Sequence, residues 1–254
     1  RVIYQWSSFD IGAGNTVNFN LAGTGYAALN RVVGNTNPTS IQGALNATNG
    51  GEIFIINPNG IIFGANAQVN VGSLVASTLD IRDSDFLAGL SSISGDTPTF
   101  SWKYADGDDA AAAPLYYADA VVQVEAGASI NTTSGGRVFL FAPKVVNRGT
   151  INTPHGQTVL AAGSEIYLNS SAKEALYASE SNASVPALRG LLVEVNGSGT
   201  ATNEGTINAD YGNATIVAAA VNQNGRVRAT SSVSENGSVF LLARSDVTVG
   251  GTAD

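Results

Sequence analysis

Short apolar runs alternate with Asn- and Gly-rich breaks along this chain, and the same runs return. Phe54, Ile55 and Ile56 precede the tetrapeptide Asn57-Pro58-Asn59-Gly60, and Ile61, Ile62 and Phe63 follow it. β-Branched and aromatic residues favour strands. Between the two runs, Asn57 can bond its own backbone two residues on, Pro58 presets φ at i+1, Asn59 tolerates i+2 and Gly60 suits i+3. These residues predict a type I turn between two strands. Asn57 and Asn59 would then present polar groups at the tip, where a partner could pair with them.

In the second half the pattern becomes a repeat. "GRVFLFA" from Gly136, "GQTVLAA" from Gly156, "GNATIVAAA" from Gly212 and "GSVFLLA" from Gly237 are versions of one unit. A second unit reads "NRGTIN" from Asn147, "NEGTIN" from Asn203 and "NGRVRA" from Asn224, and "GASIN" from Gly127 has the same character. Gly136 and Gly156 are 20 residues apart, Gly212 and Gly237 25. Such a period, with two or three short strands per unit, suits one rung of a parallel β-helix. A β-sandwich, with strands every ~8 to 12 residues, is the alternative, and the likeness of whole blocks favours the solenoid. Val138, Leu140, Val159, Ile216, Val239 and Leu241 are expected to line one continuous core, with the small runs "AAG" and "AAA" at corners. About nine rungs of ~21 residues would give a rod of ~43 Å plus a cap.

Two segments break the repeat and read as excursions from the solenoid, at 83–120 and 169–190. The first holds Trp102, Tyr104, Tyr116 and Tyr117 and is expected to pack in part as an extra hairpin. The second carries the helix-friendly "AKEALYA" and more charge. Neither resembles an interdomain linker, so the expectation is a single domain over 1–254. Its cap and first rungs occupy 1–90, and further rungs occupy 121–254.

Composition narrows the function classes. Charged residues make up 13% of the chain and the formal charge is −8, against roughly 25% charged residues in ordinary soluble domains. An acidic, charge-poor surface argues against nucleic acid and anionic lipid. With no Cys, disulfides and thiolate chemistry are excluded. Twenty-nine Gly and 24 Asn imply many tight turns, because both tolerate positive φ. No apolar run approaches the ~20 residues that span a membrane. The chain starts at Arg1 without a basic-then-apolar leader, as expected of a processed or cut piece.

The first half carries a resemblance. "W-x-S-F-D-I-G" at Trp6–Gly12, "LNRV" at Leu29–Val32, "P-x-x-I-x-G-x-L" at Pro38–Leu45, "INPNGIIFG" at Ile56–Gly64 and "QVNVGSLVAST" at Gln68–Thr78 occur in order, and "DFLAG" extends them from Asp85. This resembles the secretion domain of two-partner secretion exoproteins of the filamentous haemagglutinin and high-molecular-weight adhesin type. The motifs cover Trp6 to Leu90, and beyond Leu90 the likeness is architectural only. The resemblance implies an all-β, right-handed parallel β-helix with an amino-terminal β cap and extra-helical hairpins. It also implies a Gram-negative exoprotein exported through the periplasm to the cell surface. The implied partner is a cognate outer-membrane transporter, whose periplasmic polypeptide-transport domains recognise the unfolded or folding chain. Asn57, Pro58, Asn59 and Gly60 match a tetrapeptide treated as part of the family's secretion signal. A second tetrapeptide found in some members, Asn-Pro-Asn-Leu, is absent, and "NTNPTS" at Asn35–Ser40 is a loose analogue. The expected role is a secretion signal, working as a monomer, that nucleates folding. The alternative is an adhesin module that binds host or matrix glycans through the excursions. Exposed aromatics in the first excursion would favour that alternative, and structural packing of Trp102 and Tyr104 would not.

Candidate chemistry is sparse, so no enzyme, cofactor or metal is expected. The one His, His155, reads as an exposed turn residue, and no Ser-His-Asp arrangement forms around it. The Asp groups at 80–85 and 106–109 lack the spacing of a Ca²⁺ loop and read as solvated loops. Glu165, Glu194 and Glu204 read as isolated carboxylates. Of seven Asn-x-Ser/Thr sequons, at Asn46, Asn131, Asn169, Asn182, Asn196, Asn213 and Asn236, many are expected by chance in so Asn-rich a chain, and the resemblance to glycosylated high-molecular-weight adhesins implies modification as the alternative.

Overall fold

A computed structural model describes residues 1–34, 36–90, 97–104, 117–170, 190–229 and 238–251. The chain winds into a parallel β-helix of stacked rungs. The first rung holds β1 (Val2–Trp6) and β2 (Thr16–Phe19). The second holds β3 (Ala27–Val32), β4 (Thr39–Ile41) and β5 (Ala44–Ala47), and the third β6 (Glu52–Ile56), β7 (Ile61–Phe63) and β8 (Gln68–Val71). The fourth begins with β9 (Ser73–Ser77). It leaves the helix through β10 (Asp80–Ile81), α1 (Asp83–Ala88) and β11 (Thr99–Ser101), and returns as β12 (Val121–Val124) and β13 (Ser129–Thr132). The fifth is β14 (Arg137–Ala142), β15 (Lys144–Asn147) and β16 (Thr150–Asn152). The sixth starts at β17 (Gln157–Ala162), departs through β18 (Glu165–Ser170) and β19 (Leu191–Asn196), and rejoins at β20 (Thr200–Asn203) and β21 (Thr206–Asn208). Then come β22 (Asn213–Gln223) with β23 (Arg226–Arg228), and β24 (Ser238–Val249).

Equivalent strands of successive rungs pair in parallel. One column runs β1-β3-β6-β9-β14-β17-β22, with β24 beyond it. A second runs β4-β7-β12-β15-β20-β22, and a third β2-β5-β8-β13-β16-β21-β23. β22 is long enough to serve two columns. Its register to β24 shifts between Ala218 and Ala220, so the "AAA" run sits at a corner as expected. Eight strands stack in the first column among the described residues, where nine rungs were expected. The excursions account for the difference, because they draw more residues out of the helix than the repeat break suggested. At ~4.8 Å per step the described stack is ~34 Å tall.

The expected single core is in fact two. Val138, Leu140 and Ile216 face the lumen with Ile53, Ile55, Leu74 and Val122. Val159 does not: it points outward, into a second cluster with Phe54, Phe86, Phe100, Phe139 and Phe141. Leu241 packs against the lumen, but Val239 is 44% exposed, because β24 is the outermost described strand. The second cluster is covered by the two excursions, which join one another. β10, β11, β18 and β19 form one antiparallel sheet, and α1 sets Phe86 edge-on against Phe54 at 5.1 Å. The second excursion therefore begins at Gly163 rather than at 169, and it ends near Gly199. "AKEALYA" lies outside the described residues.

Two side-chain columns explain the repeat. A Cβ on Gly136 would stand 2.0 Å from the Gly72 carbonyl oxygen, and one on Gly156 1.8 Å from that of Gly136. Only glycine lets the rungs approach this closely at the corner. On the outer face of the third column, Asn18, Asn46, Asn70, Asn131, Asn152 and Asn208 form a ladder. Each later amide donates to the preceding one, at 2.9, 3.1, 3.2, 2.7 and 2.8 Å. A buried counterpart at another corner links Asn147 to Asn203 at 2.8 Å and Asn203 to Gln223 at 3.0 Å.

Candidate functional site

β6 and β7 approach the tetrapeptide as two apolar strands, and the chain reverses as the residues dictate. The Gly60 N–H donates to the Asn57 carbonyl at 3.1 Å, closing a β-turn. The Asn59 N–H donates to Asn57 Oδ1 at 3.0 Å, the expected bond two residues on. Gly60 has φ +125°, which favours glycine.

The placement of Asn57 differs from expectation. Its side chain is not free at a tip, for the residue is 1% exposed. Its Nδ2 donates to the Asn37 carbonyl at 3.0 Å and to Thr39 Oγ1 at 3.1 Å. Its Oδ1 also accepts from Asn59 Nδ2 at 3.0 Å. Its own N–H donates to the Ser77 carbonyl at 3.0 Å. The turn lies under the preceding rung, which supplies Asn37 and Thr39, so the amide serves as an internal strut. Pro58 and Asn59 are half-buried, and Gly60 is buried. The partners Asn37 and Thr39 fall in the "NTNPTS" segment, and their only signal was a second Asn-Pro pair one rung earlier.

Comparison with known proteins decides the family. The profile of the TPS secretion domain, the two-partner secretion domain, matches residues 1–253. The chain belongs to this family. A crystal structure of the HMW1 secretion domain from Haemophilus influenzae superposes on the TPS domain with a TM-score of 0.72. It shares 26% identity over 98% of this chain and 57% of that one. A heme/hemopexin-binding protein of Haemophilus influenzae is 41% identical over 78 residues, 31% of this chain and 8% of that protein. A second sequence of that protein, from strain KW20, gives the same values. The TPS domain thus spans a small part of the curated relatives it matches. TPS domains serve secretion and targeting rather than catalysis, and their exoproteins are exported across the outer membrane to the cell surface or released.

The remaining candidates resolve into structure. His155 is exposed in a turn with φ 56°, stacked on Tyr211 at 5.0 Å. Within the Asp group at 80–85, Asp80 is not solvated as expected: it is 5% exposed and ion-paired with Arg31, while the Asp83 side chain stays 44% exposed. The group at 106–109 lies outside the described residues. Among the described residues, no three His, Cys, Asp or Glu side chains could hold a metal ion, and no helix is long and apolar enough to cross a membrane. Of the sequons, Asn46 and Asn131 stand in the ladder, Asn213 is buried, and Asn182 and Asn236 lie outside the described residues.

Nor are the carboxylates isolated. Glu204 meets Arg148 at 2.8 Å, and Glu194 faces Tyr167 across β18 and β19. Glu165 ties the antiparallel sheet together. It accepts from Lys103 Nζ at 2.7 Å, Asn196 Nδ2 at 3.0 Å, and the Ser101 and Tyr167 hydroxyls at 3.3 Å each. The Lys103 hydrogen bond holds the Glu165 carboxyl below its ordinary range against the opposing effect of burial. The same bond raises Lys103, and burial followed by the Glu165 charge raises Tyr167. A lowered carboxylate stabilises the fold above its unfolded-state value, and that contribution is lost as pH falls through the folded value. The lysine's share is present below its unfolded-state value and is lost at high pH. Glu165→Gln should therefore melt below the parent near neutrality and converge with it as the pH falls through and below the ordinary glutamate range of about 4.3. A constant gap across that range, by thermal denaturation, would refute the assignment.

Proposed function

We propose that this TPS domain is the secretion signal of a large exported exoprotein, read at Asn57, Pro58, Asn59 and Gly60 by its cognate outer-membrane transporter. The reader is the transporter's periplasmic polypeptide-transport region, and the domain then nucleates β-helix folding at the cell surface. One observation carries the timing: in the folded domain every polar group of the Asn57 side chain is bonded internally and the residue is buried. Reading of that amide must precede folding, while the turn's strands are still extended or only partly paired. A solenoid suits such a route. Its contacts join neighbouring rungs, so folding can start at one end and propagate, and no disulfide must be kept open.

The second reading, an adhesin module that binds glycans through its excursions, has less support. Trp102 packs against the second core, and Tyr104 lies under the Arg82 guanidinium at 5.6 Å. Both aromatics are used structurally. Among the described residues of the excursion, Tyr117, 42% exposed, is what that reading retains, and Tyr116 lies outside them.

Asn57→Ala, Asn59→Ala and the control Asn224→Ala test the proposal, with export and melting temperature measured on each. Asn57→Ala strands buried partners and should cost about 1–3 kcal/mol. Asn59→Ala should cost under ~1 kcal/mol yet still cut export severely. If export merely tracks stability across the three variants, the tetrapeptide is a turn and not a signal.

A further inference from the structure

Arg31 is the largest fully buried side chain described, 1% exposed. It projects from β3 toward the second core, with Ile56 beside it in register. Its guanidinium reaches across 49 to 52 residues of sequence. Nε donates to Asp80 Oδ1 at 3.0 Å, and Nη2 donates to the Ile81 carbonyl at 3.1 Å and to Asp83 Oδ1 at 2.9 Å. Asp80 is itself buried and steadied by the Ile81 N–H at 2.8 Å. The loop closed by this clasp contains Asn57–Gly60. The arriving segment also closes the turn, since Ser77 accepts the Asn57 N–H and Phe86 covers Phe54.

We propose that Arg31 is a folding latch that times the burial of the signal turn. A guanidinium buried without its partner is strongly unfavourable. The outer face of β3 and β6 therefore cannot be sealed until residues 80–83 arrive. In a chain that emerges amino end first, the early rungs stay loose over that interval, so the bonds of Asn57 to Asn37 and Thr39 in the preceding rung open reversibly and the amide stays readable. Once Asp80 and Asp83 engage Arg31, Ser77 and Phe86 close over β6 and the signal is withdrawn. The latch rests on the proposed reading of the turn, and it converts the order of residues into an interval during which the transporter can act.

The test uses the full chain refolded from denaturant, in parent, Arg31→Gln, Asp80→Asn and the apolar double variant Arg31→Met/Asp80→Leu. Refolding is followed by fluorescence, and closure of the turn by hydrogen exchange at the Asn59 and Gly60 amides. Capture by the transporter's isolated periplasmic domains is sampled during refolding. Each single variant should refold about tenfold more slowly, with a similar delay in turn protection and a matching extension of the capture interval. The apolar double variant needs no partner charge to seal, so it should refold at least as fast as the parent and shorten the interval. Where Arg31→Gln does not fold, Arg31→Lys keeps the charge without the three-way geometry and should show the same delay. Single variants that refold at the parental rate, with their whole loss in unfolding, would overturn the latch. If no capture occurs at any time even for the parent, the reading of the turn fails instead, and refolding with exchange still decides the latch.

Discussion

Gly156→Ala should cost about 3 kcal/mol, the upper end for overpacking, and lower the melting temperature by roughly 6–12 °C in a domain of this size. The added Cβ would lie 1.8 Å from the Gly136 carbonyl oxygen and 2.9 Å from its carbonyl carbon. Neither can retreat, because Gly136 is itself stacked on the Gly72 carbonyl. The natural comparison is Gly135→Ala. Gly135 has φ +80°, and its added Cβ would meet nothing within 4 Å, so it should lose only about 1 kcal/mol through conformation. Thermal melts of the two variants separate crowding from backbone strain. If Gly156→Ala melts with Gly135→Ala, the glycine column is not what sets the rung spacing.

Phe100→Ala should cost about 3–5 kcal/mol, as deletion of a fully buried ring does. Phe100 belongs to the antiparallel side sheet, yet its ring meets Phe141 of β14 at 5.0 Å, edge-on. Because Phe141 stands on a strand whose alternate residues fill the lumen, side sheet and β-helix should unfold together. In a Trp6→Phe background, Trp102 fluorescence reports the side sheet and far-ultraviolet circular dichroism the helix. Both transitions should shift down together. A side sheet that melts first, with the dichroism unchanged, would make the excursions separate appendages.

The rungs were legible in the sequence because their corners are spelled with glycine and asparagine at fixed spacing. The second core was not, for a physical reason. Strand orientation is read from alternation, and alternation vanishes when both faces are buried. "IFII" in β6, "VFLFA" in β14 and "VLAA" in β17 are apolar throughout, so nothing told the outward Val159 from the inward Leu140. The union of the excursions was hidden as well. β11 and β18 are antiparallel partners with Ser101 opposite Glu165, and "EIYL" alternates as a rung strand would. At the site, the turn followed from its four residues, whereas its burial depended on Thr39 and Asn37 of the rung before. The Arg31–Asp80 pair left no local trace, since neither residue has a periodic neighbour that betrays it.

The asparagine ladder has a consequence for how such a molecule can change in length. Each amide donates to its counterpart one full turn away, and all donate in the same sense. Removing a complete turn brings the next asparagine into an equivalent berth, and the chain of bonds re-forms with one member fewer. Removing a single residue from within a ladder strand turns its asparagine to the opposite face and breaks the chain of bonds there. The ladder therefore counts turns and not residues: whole turns can be spliced in or out, while single-residue edits fall in the loops between strands, which already let the ladder step by 28, 24 and 21 residues in rungs that carry no excursion.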